Sequence, residues 1–183
     1  GWFNESIYST NFDYLYLREL LDSGDVDRKK KALAEIGERI AADTLERGES
    51  YMLPLLHRAV TEGRGRIFSE GSGFHNDYPL VRAEAARLIA EFGTLDSIEV
   101  LIAVLAEEDD ALVSAEIISA LGKLGSDYEG KPMAAIYKKV TKDRGSPPDN
   151  TLGAFSAEAI GKIISYSGTP KSDYGYKTLI HIY

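Results

Sequence analysis

The feature that most constrains this chain is a repeat. Residues 79–93 read PLVRAEAARLIAEFG and residues 111–125 read ALVSAEIISALGKLG, aligning without a gap at an offset of 32. Val81, Ala85, Ile89 and Phe92 correspond to Val113, Ile117, Leu121 and Leu124, and the spacing of four, four and three makes one helical stripe. Gly93 and Gly125 follow the last apolar residue, where a left-handed residue is expected to end each helix. A looser copy lies at an offset of 42. There Phe155, Ala159, Ile163 and Tyr166 take the stripe, Ser156-Ala157-Glu158 repeats Ser114-Ala115-Glu116, and Gly168 falls one place late.

Each such helix is followed by a second. Ile98, Leu101 and Leu105 have the spacing of a buried face, and Met133, Ile136 and Val140 repeat it at an offset of 35. Leu53, Leu56 and Val60 show it earlier, after a helix from about Asp27 that carries Leu33, Ile36 and Ile40. A pair of this kind cannot bury its faces alone, so stacking must supply the core. Residues 11–22 (NFDYLYLRELLD) predict an extra helix that caps the first pair. The stretch from Gly168 to Tyr183 shows no periodic second helix. Its Leu179, Ile180, Ile182 and Tyr183 are expected either to lie across the last helix as a cap or to mark where a longer chain was cut.

Asp77-Tyr78-Pro79-Leu80-Val81-Arg82, then Ala85-Ala86 and Phe92-Gly93, resembles the first helix of a HEAT repeat. It is similar to the short bacterial form, as in phycobilin lyases, and looser copies extend the likeness over about residues 25–168. The resemblance implies an all-α fold: a right-handed α–α superhelix of about four helix pairs with an N-terminal capping helix. One domain would then hold a cap (1–24), repeats (25–168) and a tail (169–183). It also implies a non-catalytic scaffold whose partner is another protein or peptide, because such folds specify architecture more than chemistry.

Composition bears on the alternatives. Acids outnumber bases by 29 to 21, which disfavours a general phosphate binder, so no nucleic-acid partner is expected. The same balance disfavours the basic cleft of HEAT-like DNA glycosylases. HEAT-like deoxyhypusine hydroxylases need His-Glu steps for iron, whereas the three histidines here precede Arg58, Asn76 and Ile182. With no cysteine as well, no metal and no cofactor is expected. For HEAT-like bilin lyases no diagnostic residue can be carried over. Gly63-Arg64-Gly65 and Gly71-Ser72-Gly73 lack the third glycine of a dinucleotide loop. Gly122-Lys123, Gly130-Lys131 and Gly161-Lys162 lack the Ser or Thr of a phosphate loop. No apolar run reaches the ~20 residues that span a bilayer. The chain opens at Gly1-Trp2-Phe3 without an initiating Met, so a cytoplasmic protein and an exported one whose signal is removed are both compatible with it.

Among the charged stretches, Arg28-Lys29-Lys30-Lys31 reads as a solvated helix face, interleaved as it is with Asp25, Asp27, Glu35 and Glu38. In Glu107-Glu108-Asp109-Asp110, the two aspartates precede a helix, whose positive N-terminus favours acids. His57 reads as a partly exposed structural histidine. Residues 63–78 (GRGRIFSEGSGFHNDY) are too long for a tight turn and mix glycines with arginine and aromatics. A second insertion at 143–150 holds Pro147-Pro148. Both join a second helix to the next first helix, so they are expected to share one rim of the stack. The candidate partner-binding residues are Arg64, Arg66, Phe68, Phe74, His75, Tyr78 and Arg144. The alternative is a small-molecule site or lyase-like enzyme that uses residues 63–78 as part of a pocket.

Overall fold

The computed structural model describes residues 11–42, 52–62, 78–142, 150–167 and 174–182. Among them are nine α-helices and no strand: α1 (Phe12–Asp22), α2 (Val26–Ala42), α3 (Leu53–Ala59), α4 (Pro79–Phe92), α5 (Leu95–Glu107), α6 (Ala111–Leu124), α7 (Lys131–Val140), α8 (Asn150–Ser167) and α9 (Tyr174–Ile182). The first helices α2, α4, α6 and α8 pack side by side in chain order, and α5, α7 and α9 form a second row. Helix α3 meets α1, α2 and α4, while α1 covers α2 as the expected cap.

Local chemistry sets the helix ends. The Asn11 side chain accepts the Tyr14 N–H at 3.0 Å, and Asp110 Oδ1 accepts that of Val113 at 2.9 Å. Each satisfies a backbone donor that the first turn leaves without a partner. Proline stands in the first turn of α3, α4 and α7, where its missing N–H costs nothing. Gly125 is left-handed, as expected, with φ of 70°. Gly93 is not: its backbone is extended, and the chain passes through Thr94 straight into α5. Glycine is still required at 93, because a Cβ there would lie 2.5 Å from the Ile89 carbonyl oxygen.

The stripes form one continuous core. Val81, Ala85, Ile89, Val113, Ile117, Leu121, Ala159 and Ile163 are all buried, as are Leu53, Leu56, Val60, Ile98, Leu101, Leu105, Met133, Ile136 and Val140. Two expectations fail at the C-terminal end. Tyr166 is 75% exposed, and its ring lies over Gly125 instead of entering the stripe. The final segment is a regular helix, α9, packed on α7 and α8 in the place of the missing second helix. Gly175, Thr178 and Ile182 stand at an offset of 42 from Met133, Ile136 and Val140, the same offset that relates α8 to α6.

Helices α6 and α8 approach most closely at Gly122. A Cβ at this position would fall 2.5 Å from Ala159 Cα and 2.8 Å from its Cβ. Backbone cannot swing aside as a flexible side chain does, so the helices would have to separate. Gly122→Ala gains ~1 kcal/mol of helix propensity but incurs overpacking that typically costs ~1–3 kcal/mol. We expect a net loss of stability, read as a lower urea midpoint. An unchanged or raised midpoint would mean that the two helices are not in such close contact.

Candidate functional site

The buried polar groups form a relay that runs from pair to pair. Lys29, only 1% exposed, donates to the Leu21 carbonyl at the end of α1 and to Glu62 Oε1 at 2.8 Å. Its ammonium also lies 4.5 Å from the centre of the Tyr78 ring. Arg82, fully buried, donates from Nη1 to the Glu62 carbonyl at 2.9 Å. Its Nε and Nη2 grip the Glu108 carboxylate at 2.8 and 3.0 Å. Glu108 Oε1 also accepts the backbone N–H groups of Asp109 and Asp110, and Lys139 donates to the Glu108 carbonyl. Glu62 and Glu108 play the same part. Each gives its carboxylate to the cation of its own pair and its carbonyl to a cation further along the stack.

This arrangement corrects the reading of the basic run. Arg28, Lys30 and Lys31 are exposed, but Lys29 points inward. The signal was present in the repeat: Lys29 stands three residues before Ala32 as Arg82 does before Ala85. Ser114 and Ser156 hold the same place in α6 and α8. Both are buried, with hydroxyls that meet no hydrogen-bond partner among the described residues.

His57 also departs from expectation, being only 6% exposed. Its Nε2 lies 2.7 Å from Ser97 Oγ, which ties α3 to the first turn of α5. Ser97 Oγ already accepts the Thr94 N–H at 3.0 Å, so its own proton is directed at a neutral imidazole. Burial pushes His57 down from 6.5 to about 4, against the smaller opposing pull of Asp96. Between those values the unfolded chain binds a proton that the folded chain does not. The stability from neutral His57 is therefore full above pH 6.5 and lost as pH falls toward 4. A shift of this size corresponds to ~3 kcal/mol. Urea unfolding from pH 7 to 4 should show a steeper loss for the parent than for His57→Gln, and parallel profiles would contradict it.

Of the candidate partner-binding residues, Arg64, Arg66, Phe68, Phe74, His75 and Arg144 lie outside the described residues. Tyr78 is described, and it is engaged within the chain. It precedes α4 with a left-handed φ of 48°, its ring faces Lys29 and its hydroxyl donates to the Gly24 carbonyl at 3.0 Å. The geometry thus defines a stack of α-helix pairs whose buried charged groups join helix to helix. Residues 73–143, which span α4 to α7, match the family model of HEAT repeats. That stretch is thus similar to HEAT repeats, a class that generally mediates protein–protein interaction. No curated protein and no solved structure matches the chain. Among the described residues no helix is long and apolar enough to cross a membrane, and no group of three or more His, Asp or Glu is placed to hold a metal ion.

Proposed function

We propose that the chain is a non-catalytic scaffold that binds a protein or peptide on its second-helix face and the adjoining rim. The observation that supports this reading is the use made of the reactive side chains. Lys29, Arg82, Glu108 and His57, the buried groups most capable of chemistry, are engaged in joining helices. What the regular stack offers a partner is exposed helix surface, with Ala103, Lys138 and Ile180 at successive equivalent places on α5, α7 and α9. Residues 63–77 precede α4 in the chain and residues 143–149 follow α7, and Arg64, Phe68 and Phe74 are the proposed anchors, since arginine and aromatics often dominate interface energy. Replacing these three by alanine is expected to weaken binding of a captured partner by at least ~tenfold, with the thermal midpoint nearly unchanged. Undiminished affinity would remove the rim from the site, and a large fall in the midpoint would assign the three residues to the core instead.

A further inference from the structure

The outer face of α1 is apolar where the end of a stack ordinarily turns a polar surface outward. Phe12, Leu15 and Tyr16 are 88, 36 and 44% exposed, and their spacing sets them side by side on one face of the helix. Tyr14, Leu17 and Leu21, on the opposite side, are buried against the stack. Three adjoining large side chains amount to a patch, which scattered single residues do not. The charges that edge the patch are answered within the chain: Asp13 pairs with Arg39 at 2.7 Å and Arg18 with Asp22 at 3.9 Å. What fits between them is an apolar segment with little charge of its own.

We infer that residues 1–10 (GWFNESIYST) fold back over α1, seat Trp2 on Phe12, Leu15 and Tyr16, and so complete the end of the stack. These residues lie outside the described ones and join α1 at Asn11, beside Phe12. Their composition suits the patch: Trp2, Phe3, Ile7 and Tyr8 are apolar, and Glu5 is their one charged side chain. Residues 43–51, by contrast, carry Asp43, Glu46, Arg47 and Glu49. Reach is not limiting, because ten residues extend over ~33 Å, whereas the 11 residues of α1 span ~16 Å. Area decides against a second copy as the occupant. A stable association of two proteins buries about 1,200 Å² or more, which three side chains do not supply. A segment already attached at Asn11 is held at high effective concentration and needs far less.

Trp2 is the only tryptophan of the chain, so its fluorescence reads this contact directly. In the full chain its emission should lie to the blue of the urea-unfolded chain and resist acrylamide quenching, equally at all protein concentrations. Phe12→Ser combined with Tyr16→Ser should move both readings to those of the unfolded chain. Both positions are exposed, so the helicity should be retained. A second measurement leaves the apolar patch intact. The chain has no cysteine, so Glu19→Cys, exposed on the same face of α1, takes a single bimane label. Trp2 should quench that label, and Trp2→Leu should restore its emission, whereas a label on Lys123→Cys of α6 should respond to neither. Unfolded-like Trp2 emission in the parent, shielding that survives the double variant, or a bimane label indifferent to Trp2 would overturn the inference. So would shielding that appears only as concentration rises together with a doubled mass in light scattering, which would give the patch to a second copy.

Discussion

Glu108→Ala is expected to destabilise the fold by ~3–5 kcal/mol, the usual consequence of leaving a buried charge without its partner. The carboxylate removed is fully buried and accepts from Arg82 twice and from the Asp109 and Asp110 backbone. Arg82 would keep its bond to the Glu62 carbonyl but lose the carboxylate, while its charge stayed in the core. Glu108→Gln should cost less, because the amide oxygen still accepts hydrogen bonds. Pairing Glu108→Leu with Arg82→Met should recover much of the loss, since an apolar pair of similar volume often serves a core as well as a buried ion pair. Urea midpoints of the three variants decide the matter. A neutral Glu108→Ala would mean that Arg82 is solvated in the folded chain.

Leu121→Ala should cost ~2–5 kcal/mol through the cavity it leaves. Leu121 is completely buried in α6, whose neighbours on either side are the first helices α4 and α8. The two close flanking helices leave little freedom to collapse into the space, which favours the upper part of that range. The denaturation midpoint should fall with little change in slope. An unchanged midpoint and slope would mean that the stripe does not form the core.

The stripe residues were legible because burial there follows apolar periodicity, and an offset of 32 or 35 aligns Val81 with Val113 and Ile98 with Met133. Two kinds of position were not. Helix α9 sets Gly175 and Thr178 where α7 has Met133 and Ile136, so apolar periodicity passes over it although the offset of 42 is kept. Gly175 packs closely on α7, since a Cβ there would lie 2.9 Å from Met133 Sδ. Lys29 sits in a basic run that reads as a solvated helix face, yet the face of the helix decides which member of such a run turns inward. Long-range partners such as Glu62 for Lys29 or Ser97 for His57 have no local signature. Of the candidate rim, Tyr78 alone falls among the described residues, where its contacts hold α4 to the start of α2.

The central claim is that the chain works by presenting its second-helix face to another protein. Photo-cross-linking residues introduced singly at the exposed positions Ala103 and Lys138 on that face, and at Ser165 and Glu158 on α8, compare the two sides of the stack in one measurement. We expect the same partner to be captured from Ala103 and Lys138 and not from Ser165 or Glu158. Capture from the α8 positions alone would contradict the account.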